Sequence, residues 1–390
     1  MNIDKDFIAQ MQDAARLLQT EGPMAATAAV QRALHGAAPG AMATPFAQQA
    51  PADNIIDINP AFTGTARAQA SPRNVITGLA ERLRAGMGKR VVEGVEDVED
   101  VATAGAEALK GKFLKLSCTA PAGTRAYKLY IPSTYAGEPT PLVVMLHGCK
   151  QNPDDFAAGT GMNALAEEQG CLVVYPAQAK NANGSNCWNW FQAGDQQRDR
   201  GEPSIIAAIT QQVMRDYKVD PARVYVAGLS AGGAMAAILA SEYPDLYKAA
   251  GIHSGLPTGA ANDVASAFAA MSNGAANSVP KAKTGAPVPV IVFHGDRDKT
   301  VHPQNGQQVL AQQAGAQAGA ATTEKGSAPN GRSYTRAIHR NTDGKLMAEH
   351  WTVHGSGHAW AGGSKRGSYT DPKGPDASRE MLRFFAEVGK

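Results

Sequence analysis

The sequence predicts an α/β fold, a mostly parallel sheet flanked by helices, with an N-terminal helical extension. Three observations point there. From about residue 111, short β-rich runs alternate with helical segments, the order that parallel strands joined by crossover helices require. Two of those runs, Leu142-Val143-Val144-Met145-Leu146 and Leu172-Val173-Val174-Tyr175, are continuously apolar, as strands covered on both faces are. A glycine-bracketed serine, Gly228-Leu229-Ser230-Ala231-Gly232, sits between a strand-like run and a helical one.

Residues 1–110 are expected to form a helical extension and linker. Phe7, Met11, Ala14 and Leu18 recur at helical spacing until Gly22-Pro23 breaks the pattern, and an Ala-rich segment ends at Gly36. Residues 37 to about 75 are rich in Ala, Pro, Gly, Thr and Gln and read as a linker. Glu81 to Leu109 is again helical in pattern, with Glu93, Glu96, Asp97, Glu99 and Asp100 on a solvated face. Residues 111–390 are expected to form one catalytic domain. Phe113–Leu116 and Tyr127–Ile131 open it as strands, the second ended by Pro132. The run 142–146 follows, then a crossover helix from Pro153 to Gln169, then the run 172–175. Val224–Ala227, Val288–Phe293 and His350–His354 complete the strands, and Pro203–Tyr217, Ala231–Glu242 and Asp376–Val388 the helices.

Composition narrows the function. The chain has 390 residues, 43% hydrophobic and 18% charged, with 37 basic and 35 acidic side chains and a formal net charge of +2. Nucleic-acid binding and polybasic membrane attachment need clustered basic excess, and this balance argues against both. No apolar run approaches the length of a membrane span. The acidic start, Met1-Asn2-Ile3-Asp4-Lys5-Asp6, leads into no apolar stretch, so a secretory signal is not visible and a cytoplasmic location is expected. Four cysteines, Cys118, Cys149, Cys171 and Cys187, lack paired C-x-x-C spacing, which argues against zinc. No metal or organic cofactor is expected. Oligomeric state is not legible.

The chemistry gathers at strand ends. The turn at Ser230 has the context of a nucleophile elbow, where a tight strand-to-helix turn exposes the hydroxyl and tolerates only small neighbours. A serine hydroxyl needs a histidine to take its proton and a carboxylate to orient that histidine. On this architecture the acid and then the base follow the serine in the chain. The run Val290-Ile291-Val292-Phe293-His294-Gly295-Asp296-Arg297-Asp298 ends in a loop with two carboxylates. Asp298 is the expected acid, and Asp296 the alternative. Of nine histidines, His358 is the expected base, because Gly355-Ser356-Gly357-His358-Ala359-Trp360 is a glycine-flanked loop after the last strand. His350 and His354 belong to that strand and are read as structural. The oxyanion hole needs two backbone N–H groups. Ala231, next to the serine, supplies one, and Cys149 in the loop Leu146-His147-Gly148-Cys149-Lys150-Gln151 is preferred over Gly148 for the other.

These motifs, together with Cys187-Trp188-Asn189-Trp190-Phe191, resemble the esterase family of polyhydroxybutyrate depolymerases from about Phe113 onward. The resemblance implies an α/β-hydrolase fold and a serine carboxylesterase with the triad Ser230, Asp298 and His358, working through an acyl-enzyme. Short hydroxyalkanoate oligomers or similar small esters are the expected substrates. Feruloyl or acetylxylan esters are the alternative within the family, and a serine peptidase is the alternative on the same fold. The resemblance also suggests a Cys149–Cys187 disulfide and an extracellular location, whereas a reducing cytoplasm would keep both thiols free. Trp188, Trp190 and Trp360 are expected to form an apolar wall for the substrate. Cys118 and Cys171 read as buried small hydrophobes.

Overall fold

Apolar alternation dictates the sheet. In β3 (Thr140–Leu146) and β4 (Leu172–Pro176), Leu142, Val144, Leu146, Leu172 and Val174 face one buried cluster, while Val143, Met145, Val173 and Tyr175 face another. Period-two alternation in a wholly apolar run buries both faces. The computed structural model describes residues 110–276, 288–314, 320–329 and 331–389. The helical extension expected over residues 1–110 therefore lies outside the described residues up to residue 109.

The first strands are β1 (Lys112–Ala120) and β2 (Gly123–Ile131), an antiparallel pair. After β3, the expected crossover helix is two helices, α1 (Pro153–Thr160) and α2 (Met162–Gln169). Gly161 divides them, with φ 64 serving as the left-handed end of α1. Asn152 caps α1 by accepting from the Asp155 N–H at 3.0 Å. Beyond β4 come α3 (Gly201–Asp216), β5 (Val219–Leu229), α4 (Ala231–Glu242), β6 (Ala249–His253), α5 (Val264–Asn273), β7 (Val290–Gly295) and α6 (Gln304–Ala314). The chain continues through β8 (Thr322–Ser327), β9 (Ser333–Arg340), β10 (Leu346–Val353), β11 (Trp360–Ala361), β12 (Thr370–Asp371) and α7 (Ala377–Val388).

Among the described residues, ten strands form one sheet in the order β1-β2-β4-β3-β5-β6-β7-β10-β9-β8. The middle six, from β4 to β10, run parallel, and antiparallel strands flank them on both sides. The order reverses around β3, so neighbouring connections leave on opposite faces and loops converge at the carboxyl ends of the parallel strands. Helix α7 packs Met381, Phe384 and Phe385 into one cluster, and α3 and α4 supply Ile205, Ile209, Met235 and Leu239 to the other. Among the described residues no helix is long and apolar enough to cross a membrane.

Candidate active site

Ser230 sits between β5 and α4 with φ 58 and ψ −119, a region that L-residues enter only when the surroundings hold them there. The neighbours explain why the turn forms. A Cβ at Gly228 would lie 2.3 Å from the Gly232 carbonyl oxygen, and one at Gly232 would lie 2.1 Å from that of Leu146. A side chain at Gly228 would push β5 away from α4, and one at Gly232 would push α4 away from β3. The Ser230 N–H donates to the His253 carbonyl at 2.9 Å, tying the strained residue to β6. Its side chain remains partly exposed.

The loop after β7 carries Asp298 and the loop after β10 carries His358, and the structure brings them together. His358 Nδ1 is 2.7 Å from Asp298 Oδ2. The other oxygen, Oδ1, accepts from the N–H groups of Thr300 and Val301, each at 2.9 Å. His294 Nε2 lies 2.8 Å from the Val301 carbonyl and 3.4 Å from Asp298 Oδ2, so that nitrogen carries its proton toward two acceptors. The Asp298 side chain is 0% exposed and that of His358 12%. Burial alone would raise the Asp298 carboxyl, but the His358 ring and hydrogen bonds from His294 and His358 hold it well below the usual carboxylate range. Asp296, the alternative acid, pairs instead with His354, Oδ2 to Nδ1 at 2.9 Å.

Beside Ser230 lies the loop after β3. A Cβ on Gly148 would be 3.6 Å from Ser230 Cβ, so the loop abuts the serine. The Gly148 N–H is already engaged, donating to Gln151 Oε1 at 2.9 Å. Among the described residues, the N–H groups of Cys149 and Ala231 have no protein acceptor; Ala231 opens α4, where helical N–H groups are left over. Cys149 is joined to Cys187 by a disulfide. Lys150, at φ 64, donates its N–H to Ser185 at 2.7 Å, which fastens the same two loops a second time.

The tryptophans are placed differently from expectation. Trp188 is 1% exposed, Trp190 6% and Trp360 1%, too enclosed to form the surface of a substrate wall. The indole N–H of Trp188 donates to the His147 carbonyl at 3.1 Å, bracing the β3 loop from behind. Trp360 donates to Ser378 Oγ at 3.1 Å and stacks on His253 at 5.1 Å. Trp190 packs edge-on against Phe191 at 5.7 Å, and Phe191 is the partly exposed member of the cluster. A polar neighbourhood in sequence hid partners that lie far along the chain.

Several supporting residues carried no sequence signal of their own. His253 lies in β6, stacked between Phe293 and Trp360, and accepts the Ala361 N–H at 2.9 Å; burial pushes its pKa down to about 3. His147 accepts the Gln178 N–H on Nε2 at 3.1 Å and is likewise pushed down to about 4 by burial. Glu202 receives hydrogen bonds from Gln178 and from the Asn189 backbone, and burial pushes its carboxyl up to about 7. Gln178 also donates to the Cys187 carbonyl at 2.7 Å, so this buried group anchors the disulfide loop. Among the described residues, no group of three or more His, Cys, Asp or Glu could hold a metal ion.

A strained serine at the carboxyl end of a parallel strand, with a carboxylate and a histidine on later loops, defines an α/β-hydrolase. The solved acetyl xylan esterase from Aspergillus awamori has the same fold, at a TM-score of 0.56 and 19% identity over 71% of this chain and 99% of that one. The chain belongs to the esterase PHB depolymerase family, whose match covers residues 125–324, just over half of its length. That span holds Cys149, Cys187, Ser230 and Asp298, while His358 lies beyond it. Poly(3-hydroxyalkanoate) depolymerase C of Paucimonas lemoignei is 32% identical over 62% of this chain and 59% of its own. A probable acetylxylan esterase A of Aspergillus fumigatus is 30% identical over 50% of this chain and 56% of its own. The chain thus spans less than two thirds of the length of either relative.

Proposed function

We propose that this protein is a serine carboxylesterase that hydrolyses short hydroxyalkanoate oligomers or similar small esters, with residues 111–390 as its catalytic domain. The observation that carries the reading is Ser230 held at φ 58, at the carboxyl end of the parallel strands, where the loops of Asp298 and His358 also start, and against the Cys149 loop. His358 takes the Ser230 proton as the oxygen attacks the ester carbonyl. The N–H groups of Cys149 and Ala231 receive the negative charge that develops on the carbonyl oxygen. His358 returns the proton to the departing alcohol, leaving an acyl-serine. Water, deprotonated by the same ring, then attacks that acyl group, and collapse of the second intermediate returns the proton to Ser230 and releases the acid. Asp298 holds the imidazole with Nδ1–H toward itself, so that Nε2 is free to accept.

Substrate choice draws on the relatives. The name of the Paucimonas lemoignei protein refers to a poly(3-hydroxyalkanoate), and that of the Aspergillus fumigatus protein to acetylxylan. The near-zero net charge suits an uncharged ester. Acetylxylan is the second reading, favoured by the similarity to that relative. The test is a hydrolysis screen over p-nitrophenyl esters of increasing acyl length, hydroxybutyrate oligomers, acetylated xylan and feruloyl esters, beside Ser230→Ala. Hydroxybutyrate oligomers should be turned over best, and the variant should lose about 10⁴-fold or more in kcat. Activity surviving intact in the variant would contradict the assignment of Ser230.

A further inference from the structure

We infer that Gln151 is a positioning residue for the oxyanion loop, locked in one orientation by Asp155 and Ser368; this rests on the serine-esterase reading above. The buried side chain, 1% exposed, makes two kinds of contact. Its Oε1 accepts the Gly148 N–H at 2.9 Å. Its Nε2 donates to Asp155 Oδ2 at 2.8 Å and approaches the Ser368 carbonyl at 3.2 Å and the Ser368 hydroxyl at 3.3 Å. A carboxylate and a carbonyl accept but cannot donate, so the amide fits only with its oxygen toward Gly148. Ser368 in turn donates its N–H to Asp155 Oδ1 at 2.9 Å and its hydroxyl to Oδ2 at 2.6 Å.

The consequence falls on the backbone next to Ser230. The Gln151 N–H closes a turn onto the Gly148 carbonyl at 3.2 Å, while its side chain takes the Gly148 N–H from the other side. With that N–H engaged, the loop offers the Cys149 N–H to the developing oxyanion. A link to the histidine loop comes through the same network. Tyr369, next to Ser368, accepts the Trp360 N–H at 2.7 Å, two residues beyond His358. Gln151 thereby joins the segment that follows the base to the loop that carries the oxyanion donor.

The test is steady-state hydrolysis of p-nitrophenyl acetate by the full chain, with inhibition by an aliphatic trifluoromethyl ketone, whose hemiketal oxyanion mimics the transition state. Gln151→Leu should lower kcat by about 10²-fold, the scale of losing one oxyanion donor, with KM changed less than about threefold. The inhibitor constant should rise in parallel with the loss in kcat/KM. Gln151→Glu sets a carboxylate against Asp155 and should lose at least as much. Adding Asp155→Asn restores the donor–acceptor match at position 155, while the Ser368 carbonyl still faces oxygen, and should raise kcat at least about fivefold above that of Gln151→Glu. A Gln151→Leu enzyme with kcat within about threefold of the wild type overturns the inference. So does a loss that appears in KM alone, or a double variant no better than Gln151→Glu, which also serves should Gln151→Leu not fold. If Ser230→Ala is as active as the wild type, the esterase reading itself fails; if it is inactive while Gln151→Leu is unimpaired, only the role of Gln151 fails.

Discussion

Two aspartate–histidine pairs stand two residues apart on one side and four on the other, Asp298 with His358 and Asp296 with His354. Their contacts are nearly equal, 2.7 Å and 2.9 Å. Their surroundings are not. The side chains of Asp298 and His358 are 0% and 12% exposed, whereas those of Asp296 and His354 are 36% and 40% exposed. Asp298 is held by Thr300, Val301 and His294 besides, while His354 turns its second nitrogen to Thr335 Oγ1 at 2.9 Å. The same contact can orient a base only where water does not compete for the carboxylate and the ring's other nitrogen is left free. In the proposed mechanism the first pair serves Ser230, and the second fastens the start of the His358 loop to the sheet.

Kinetics should separate the two pairs most widely. His358→Ala should lower kcat/KM for an activated ester by about 10⁴-fold, and His354→Ala by no more than about threefold. Equal losses would mean that the exposed pair takes part in the chemistry. Next in size is a stability effect at the half-buried disulfide. The Cys149–Cys187 bond closes a loop with a sequence separation of 38, so Cys187→Ser should cost about 2–4 kcal/mol in urea unfolding.

An acid limit follows from the buried rings. Burial pushes His147 and His350 down to about 4 and His253 to about 3. Each ring is thus neutral in the folded state while the unfolded chain binds a proton below pH about 6.5. Their contribution to stability is complete above that pH and is lost as pH falls toward 4. Each adds up to about 1.4 kcal/mol per pH unit to the slope, measurable from urea midpoints at pH 7, 6 and 5. His350→Gln should remove one ring's share of that slope. The smallest effect belongs to the exposed pair, since Asp296→Asn should cost less than about 1 kcal/mol.

Much of this was legible in the sequence where chemistry and pattern coincide. The apolar runs of β3, β4 and β5 announce buried parallel strands because their composition leaves few other fates. Ser230 and His358 are readable as candidates because each sits in a glycine-flanked turn or loop after a strand, and Asp298 because it lies in a polar loop with two carboxylates after another. Other elements gave weaker signals. Strand β6, Ala249–His253, is Ala- and Gly-rich and acquires its conformation from β5 and β7 on either side. The hairpin β8–β9 is largely exposed at Thr322–Ser327, so alternation is faint there. Trp188 lies in a polar stretch and Trp360 beside His358, yet their partners, His147 and His253, are 41 and 107 residues away. Gln151 is silent in the same way, because Ser368, which orients it, is 217 residues distant.

The most direct measurement sets the two carboxylates side by side: kcat/KM for one p-nitrophenyl ester with Asp298→Asn and with Asp296→Asn. An amide at position 298 can present N–H to His358 Nδ1 and drive the proton to Nε2, where it blocks acceptance from Ser230. Asp298→Asn should lower kcat/KM by about 10³–10⁴-fold, and Asp296→Asn should change it by no more than about threefold. A large loss in Asp296→Asn, or near-normal activity in Asp298→Asn, would contradict the assignment of Asp298.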